Sequence, residues 1–171
     1  MEFMELAKKR YSVRNYQDKP IEKEKLDKIL EAAHIAPTAK NQQSPRVYVL
    51  QSEDAISKIR SLTRCAYNAP VVMIVAYEES EQYFNEMEEK ISSGQQDASI
   101  VASHMMLEAA DLGIGSVWVD VFPNTKTAEA FNLPKTVKPV CLMPMGYAAE
   151  DAKPAPMHTS YRPIDEMVTF M

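Results

Sequence analysis

The chain has 171 residues, a length that fits one domain over 1–171 and buries a sizeable core without disulfides or a structural metal. A formal net charge of −5 and a pI near 5.3 argue against nucleic acid as a partner, because affinity for a phosphate backbone rests on Lys and Arg. Cys65 and Cys141 stand far apart, at neither disulfide-framework nor zinc spacing, and no apolar run approaches the roughly 18 residues of a membrane span.

Met1-Glu2-Phe3-Met4-Glu5 has no basic segment leading into an apolar stretch, so a cytoplasmic protein without membrane contact is expected. Over 1–10, Phe3, Leu6 and Ala7 share a face, and Lys8, Lys9 and Arg10 close a short helix where positive charge suits its dipole. Residues 11–16 read as extended. Pro20 then precedes a helix with the apolar stripe Ile21, Leu26, Ile29, Leu30 and Ala33, and Pro37 stops it.

The β-branched runs over 47–50 and 71–77 predict buried strands with a helix around 56–62 between them. The polar stretch 78–96 is expected to be helical, broken at Ser92-Ser93-Gly94. From about Asp97 to Leu112, Ala98, Ala102, Met105, Ala109 and Leu112 recur at four-three spacing and predict a central core helix, ended by Gly113. Strands are expected over 116–121 and 140–145, with a short helix over 125–131 introduced by Pro123-Asn124. After Gly146, the prolines of Ala152-Lys153-Pro154-Ala155-Pro156 favour an extended arm that needs a surface to lie on. The mixture of strands and helices implies an α+β sandwich.

In Arg10-Tyr11-Ser12-Val13-Arg14 the polar residues alternate, so an extended backbone sends all three to one side and leaves Tyr11, Val13 and Tyr16 for the core. Two guanidinium forks and a hydroxyl suit a phosphate monoester, although a solvated basic edge fits the same spacing. The loop Ala36-Pro37-Thr38-Ala39-Lys40-Asn41-Gln42-Gln43 offers backbone donors and an Asn amide suited to a flat heterocycle, and equally suits an ordinary helix-to-strand connection. His34, His104 and His158 are scattered, and a structural role is expected for each. Gly113-Ile114-Gly115 lacks the third glycine of a dinucleotide fingerprint, since Trp118 holds that position. Met73, Met105, Met143 and Met145 fall in core segments as flexible filler.

In order and distance these pieces resemble the nitroreductase family over nearly the whole chain. The match comprises Arg-x-Ser-x-Arg, a helix, Ala-Pro-Thr-Ala-x-Asn-x-Gln, a strand, then Asp97 leading to Leu-Gly-x-Gly-Ser, and finally Tyr161-Arg162-Pro163 with Glu166. The resemblance implies a three-layer α/β/α sandwich with a central mixed or antiparallel sheet, and a homodimer that exchanges its C-terminal arms and shares FMN sites. It places Arg10, Ser12, Ser160 and Arg162 at the FMN phosphate and ribityl end, and Arg14 toward the N1/O2 side of the ring. Pro37, Thr38, Ala39 and Asn41 are implied to reach FMN from the partner subunit. The backbone of Trp118, Val119 and Asp120 is implied near N5 and O4, though core packing suits Trp118 as well.

The implied activity is NADH- or NADPH-driven reduction of small electrophilic acceptors such as nitroaromatics or quinones, by a ping-pong scheme in which no side chain is named as catalytic. Dehalogenase- or dehydrogenase-like chemistry on the same fold, or a flavin-binding module without catalysis, are the alternatives. Two departures stand out. Gln43-Ser44-Pro45 replaces the family's frequent Gln-Pro-Trp, and the segment between Val71 and Asp97 is short, which implies a smaller lid over the flavin.

Overall fold

The apolar run beginning at Val71 forms the centre of the molecule. The computed structural model describes residues 2–171; Met1, the first residue of the helix expected over 1–10, lies outside the described residues. Strand β2 (Val71–Glu78) lies between β1 (Pro45–Leu50) and β4 (Val137–Gly146), and β4 also pairs with the two-residue β3 (Gly115–Ser116). The order is β1-β2-β4-β3 and every pairing is antiparallel, with Ser12 added to Ser116 by one parallel bridge.

Because strand residues alternate faces, β2 feeds two cores at once. Val72 and Ile74 face α3 (Glu53–Leu62), joining Ile56, Ile59, Tyr16 and Leu142. Val71, Met73 and Val75 face α2 (Lys23–His34) and α4 (Gly94–Asp111), joining Ile29, Ala102, Met105, Cys141, Met143 and Met145. The result is the expected α/β/α sandwich. Short helices α1 (Phe3–Lys9), α5 (Asn124–Ala130) and α6 (Ile164–Met167) complete it. Among the described residues no helix is long and apolar enough to cross a membrane.

Two expectations are corrected. Residues 78–96 do not form a helix. Glu79–Glu81 make one 3₁₀ turn, the chain then runs irregularly with a single Phe84–Ser92 bridge, and α4 begins at Gly94 rather than at Asp97. The stretch has no apolar stripe to bury, and Glu86, Glu88 and Glu89 would crowd like charges on neighbouring turns. Gly94 begins the helix instead of breaking one: its N–H donates to Gln82 Oε1 at 3.1 Å, and a Cβ there would stand 2.2 Å from the Tyr77 ring.

The strand expected over 116–121 is broken after Ser116. Ser116 still pairs with Met145, but the next residue, Val117, faces Pro144, which accepts the Val117 N–H at 3.3 Å and has no N–H to return. Pairing resumes two residues on, where Val119 and Leu142 exchange bonds of 3.0 and 2.9 Å.

Candidate functional site

Helix α1 ends at Lys9 and the chain turns extended, with Val13 and Tyr16 buried on one side. Tyr16 Oη donates to the carbonyls of Val13 and Pro144 at 2.7 and 3.1 Å, and burial pushes its ionisation well above the usual tyrosine range. The Val13 N–H donates to Ser116 O at 3.0 Å. These bonds fix the backbone, so the polar residues fall on the other side. Arg10 Nη1 reaches Met106 Sδ on α4 at 3.7 Å, and Arg14 Nη1 donates to Ser12 O at 3.2 Å. Neither guanidinium pairs with a carboxylate among the described residues.

Arg10 lines a cleft of about 240 Å³ together with Lys9, Tyr11, Gly113, Gly115 and Ser116. The Ser116 hydroxyl is buried and has no hydrogen-bond partner among the described residues. An orphaned hydroxyl beside an unneutralised arginine suits an anionic, hydrogen-bonding ligand, since leaving such a group unmet costs about 1–3 kcal/mol. The FMN phosphate and ribityl chain have that chemistry. Gly113 sits at φ 75°, where the chain leaves α4 in the left-handed region, and Ile114 N–H closes the turn on Ala109 O at 2.7 Å.

Past the cleft, Trp118 is half-buried and packs with the α4-side core, while its Nε1–H donates to Asp120 Oδ1 at 2.7 Å. Trp118 is thus a core-packing residue, and it does not line the Arg10 cleft. Val119 is buried in the opposite core, and Asp120 is exposed. Burial, with the Asp120 carboxylate second, pushes the Cys141 thiol up.

The loop after α2 lies elsewhere. Pro37 and Thr38 lead into a 3₁₀ turn, Ala39–Asn41, where Lys40 and Asn41 have positive φ, at 49° and 56°, as does Gln43 just beyond it, at 54°. Such conformations cost on the order of 1 kcal/mol each for side-chain-bearing residues and persist only when held. Thr38 Oγ1 accepts the Gln43 N–H, and Asp97 Oδ1 accepts the Ala39 N–H, both at 3.0 Å. Asp97 begins α4 and Met106 lies nine residues on, so the loop and the Arg10 group are roughly 14 Å apart along that helix, taking 1.5 Å per residue.

The arm is divided. Its proline stretch lies on its own chain: Tyr11 Oη donates to Ala152 O at 3.5 Å, Asn15 Nδ2 to Asp151 Oδ1 at 2.9 Å, and the Tyr11 ring meets His158 edge-on. The surface that the extended stretch 152–156 was expected to need is thus supplied in part by its own chain. The apolar faces of Ala148 and Ala152 have core to cover, so the arm leaves the body after them. From Thr159 on every residue is exposed, including Ser160 and Arg162, whose nearest charge is Glu166 at 3.5 Å. The structure thus sets Ser12 beside Ser116 and Arg10 on the same cleft as Ser116, and leaves Arg14, Trp118, the 38–41 loop and the arm end outside that cleft's lining. Ser116, Met106 and Asp97 are the site neighbours that sequence reading missed as such. Asp97 and Ser116 carried a signal, as the first and last residues of the motif that runs from Asp97 to Leu-Gly-x-Gly-Ser, and Met106 carried none.

The model of the nitroreductase family matches residues 7–68 and 63–147 of the chain. A candidate NADH dehydrogenase/NAD(P)H nitroreductase from Methanothermobacter thermautotrophicus is 32% identical over 158 residues, which are 88% of this chain and 80% of that protein. Among solved structures, a nitroreductase family protein from Clostridium difficile 630 superposes with a TM-score of 0.92 at 38% identity, covering 99% of this chain and 98% of the other. An FMN-dependent nitroreductase from Clostridium difficile R20291 superposes with a TM-score of 0.76 at 29% identity, with 98% of each chain covered.

Proposed function

The chain belongs to the nitroreductase family, and from that premise we propose that it is an FMN-dependent oxidoreductase. It draws electrons from NADH or NADPH and passes them to small electrophilic acceptors such as nitroaromatics or quinones, the donor and the acceptor using the site in turn. The observation that carries this reading is the Arg10 guanidinium, paired with no carboxylate among the described residues, on the same cleft as the buried Ser116 hydroxyl, which has no hydrogen-bond partner among them.

When bound, FMN supplies the capacity to take up and release a hydride. The residues of this chain bind and orient it. Arg10, Ser12, Ser160 and Arg162 take the phosphate and ribityl end, with paired donors suited to phosphate oxygens. Arg14 lies toward the N1/O2 edge, where a fixed cation favours the electron-rich state of the ring. The backbone at Trp118, Val119 and Asp120 borders N5 and O4. No paired carboxylates or activated nucleophile stand in the cleft, so the protein contributes position, charge and shielding from water.

The site is completed in a homodimer, with Pro37, Thr38, Ala39 and Asn41 coming from the partner subunit. Two features favour this. The loop stands roughly 14 Å along α4 from the Arg10 group of its own chain. Tyr161, Ile164, Met167 and Phe170 are exposed on an arm that needs a surface to cover them.

The test is the visible spectrum of the purified protein with added FMN, followed anaerobically by each nicotinamide and then by an acceptor. A yellow protein bleached by at least one donor and recoloured by a nitroaromatic or quinone is expected. A flavin that neither donor bleaches overturns the reductase and favours another flavin reaction or a flavin-binding module. The Arg10→Ala/Arg162→Ala double variant is expected to be colourless, and colour retained there overturns the phosphate assignment.

A further inference from the structure

Asp97 is only 2% exposed, and the function proposed above gives it no contact with cofactor or substrate. Its carboxylate is shared between two loops. Oδ1 accepts the Ala39 N–H at 3.0 Å, and Oδ2 accepts the Ser93 hydroxyl at 2.6 Å. Ser93 is buried as well; its Oγ accepts the Tyr83 N–H at 3.1 Å, and its own N–H donates to Tyr83 O at 3.0 Å. A relay of short bonds therefore runs from the 38–43 loop through the first turn of α4 to the irregular segment 82–93. On the surface, Lys40 Nζ makes a second tie between the same loops, 2.7 Å from Glu86 Oε1 and 5.0 Å over the Tyr83 ring.

A buried carboxylate is costly unless its oxygens are met, and an apolar residue at this point of α4 would serve the core at least as well. What the carboxylate holds is a loop with three left-handed side-chain-bearing residues, a conformation that relaxes if released. We propose that Asp97 is a positioning residue. It presets the 38–43 loop for the flavin and couples that loop, through Ser93, to residues 82–93, so that cofactor capture by one loop quiets the other. The flavin half of this inference rests on the proposed function; the coupling of the two loops does not.

Amide hydrogen exchange on the full-length protein, with and without FMN, separates the two. In the FMN-free protein, Asp97→Asn is expected to speed exchange in 38–43 and 82–93 together while β2 and β4 stay as in wild type. The same variant should bind FMN about three- to tenfold more weakly, as expected when a charge-assisted hydrogen bond to the Ala39 N–H is replaced by a neutral one. Ser93→Ala, which keeps the carboxylate, is expected to free 82–93 alone, so that FMN protects only 38–43 in that variant but both loops in wild type. Glu86→Gln cuts only the exposed tie and should change FMN affinity by no more than about twofold. Unchanged exchange of both loops in Asp97→Asn, or a uniform rise across the whole molecule, overturns the proposal. If the wild-type protein binds no FMN, the functional reading fails, and exchange in the FMN-free variants still decides the coupling.

Discussion

A Cβ built on Gly115 would stand 2.6 Å from Val13 Cγ2 and 2.9 Å from Val13 Cβ. The close approach of these two segments is what brings Ser12 beside Ser116 and so sets the arginine segment against the cleft. Val13 cannot yield, because it is buried and its N–H is bonded to Ser116 O. Gly115→Ala is therefore expected to lose about 1–3 kcal/mol, in the range of overpacked cores, as read by the urea midpoint. It should also weaken FMN binding, because any shift of Val13 moves Ser12 and Arg14 with it. At this scale the sequence was partly legible. Alternation in 10–14 put Tyr11 and Val13 on the core side, where Val13 is buried and Tyr11 half-buried; Tyr16 is buried although strict alternation would set it with the arginines, because its hydroxyl is drawn to the carbonyls of Val13 and Pro144. The sequence carried no sign that Arg14 would fold back on Ser12 O, since that depends on the local path of the chain.

Elements were legible wherever an apolar period was strong. Helices α2 and α4 and strands β2 and β4 all lie where their patterns place them, because each buries a continuous stripe or face; β1 lies where expected too, but as the edge strand it is half-buried except at Leu50 rather than buried. The exceptions were decided by single residues from elsewhere: Pro144 breaks the strand after Ser116, and Tyr77 with Gln82 makes Gly94 a helix start. Thr63, at the end of α3, shows the same dependence. Its hydroxyl donates to Val121 O at 2.6 Å and accepts the Cys65 N–H at 3.1 Å, tying the helix to the segment that follows Asp120. Thr63→Val preserves shape but strands both backbone groups, so a loss of roughly 1–3 kcal/mol in chemical denaturation is expected. Retention of wild-type stability would show that water replaces the hydroxyl at no cost.

The whole molecule presents an apolar arm end that its own chain does not cover, with Ile164 and Met167 mostly exposed and Phe170 at 96% exposure. Burying each such side chain contributes about 1.5–3 kcal/mol, so three together are enough to decide an association. The triple variant Ile164→Asp/Met167→Asp/Phe170→Asp leaves Arg10, Ser160 and Arg162 in place. It is expected to be a monomer by light scattering and to have lost FMN. A triple variant that remains dimeric would place the interface elsewhere, and one that is monomeric yet yellow would put the whole flavin site within one chain.

What the sequence determined by itself was local: the order and kind of elements, the two-faced apolar strand at the centre, and the family to which the ordered motifs belong. These follow from periodicity and end signals that act within a few residues, and the folded chain satisfies them with few exceptions. The tertiary structure decided which distant residues meet. Arg10 lies against Met106, Ser12 against Ser116, and Ala39 is held by Asp97, across separations in the chain that carry no local pattern. It also decided that Arg10 and the 38–41 loop stand at different places along α4. The physical reason is that a rigid helix of 18 residues fixes the distance between whatever docks at its two ends.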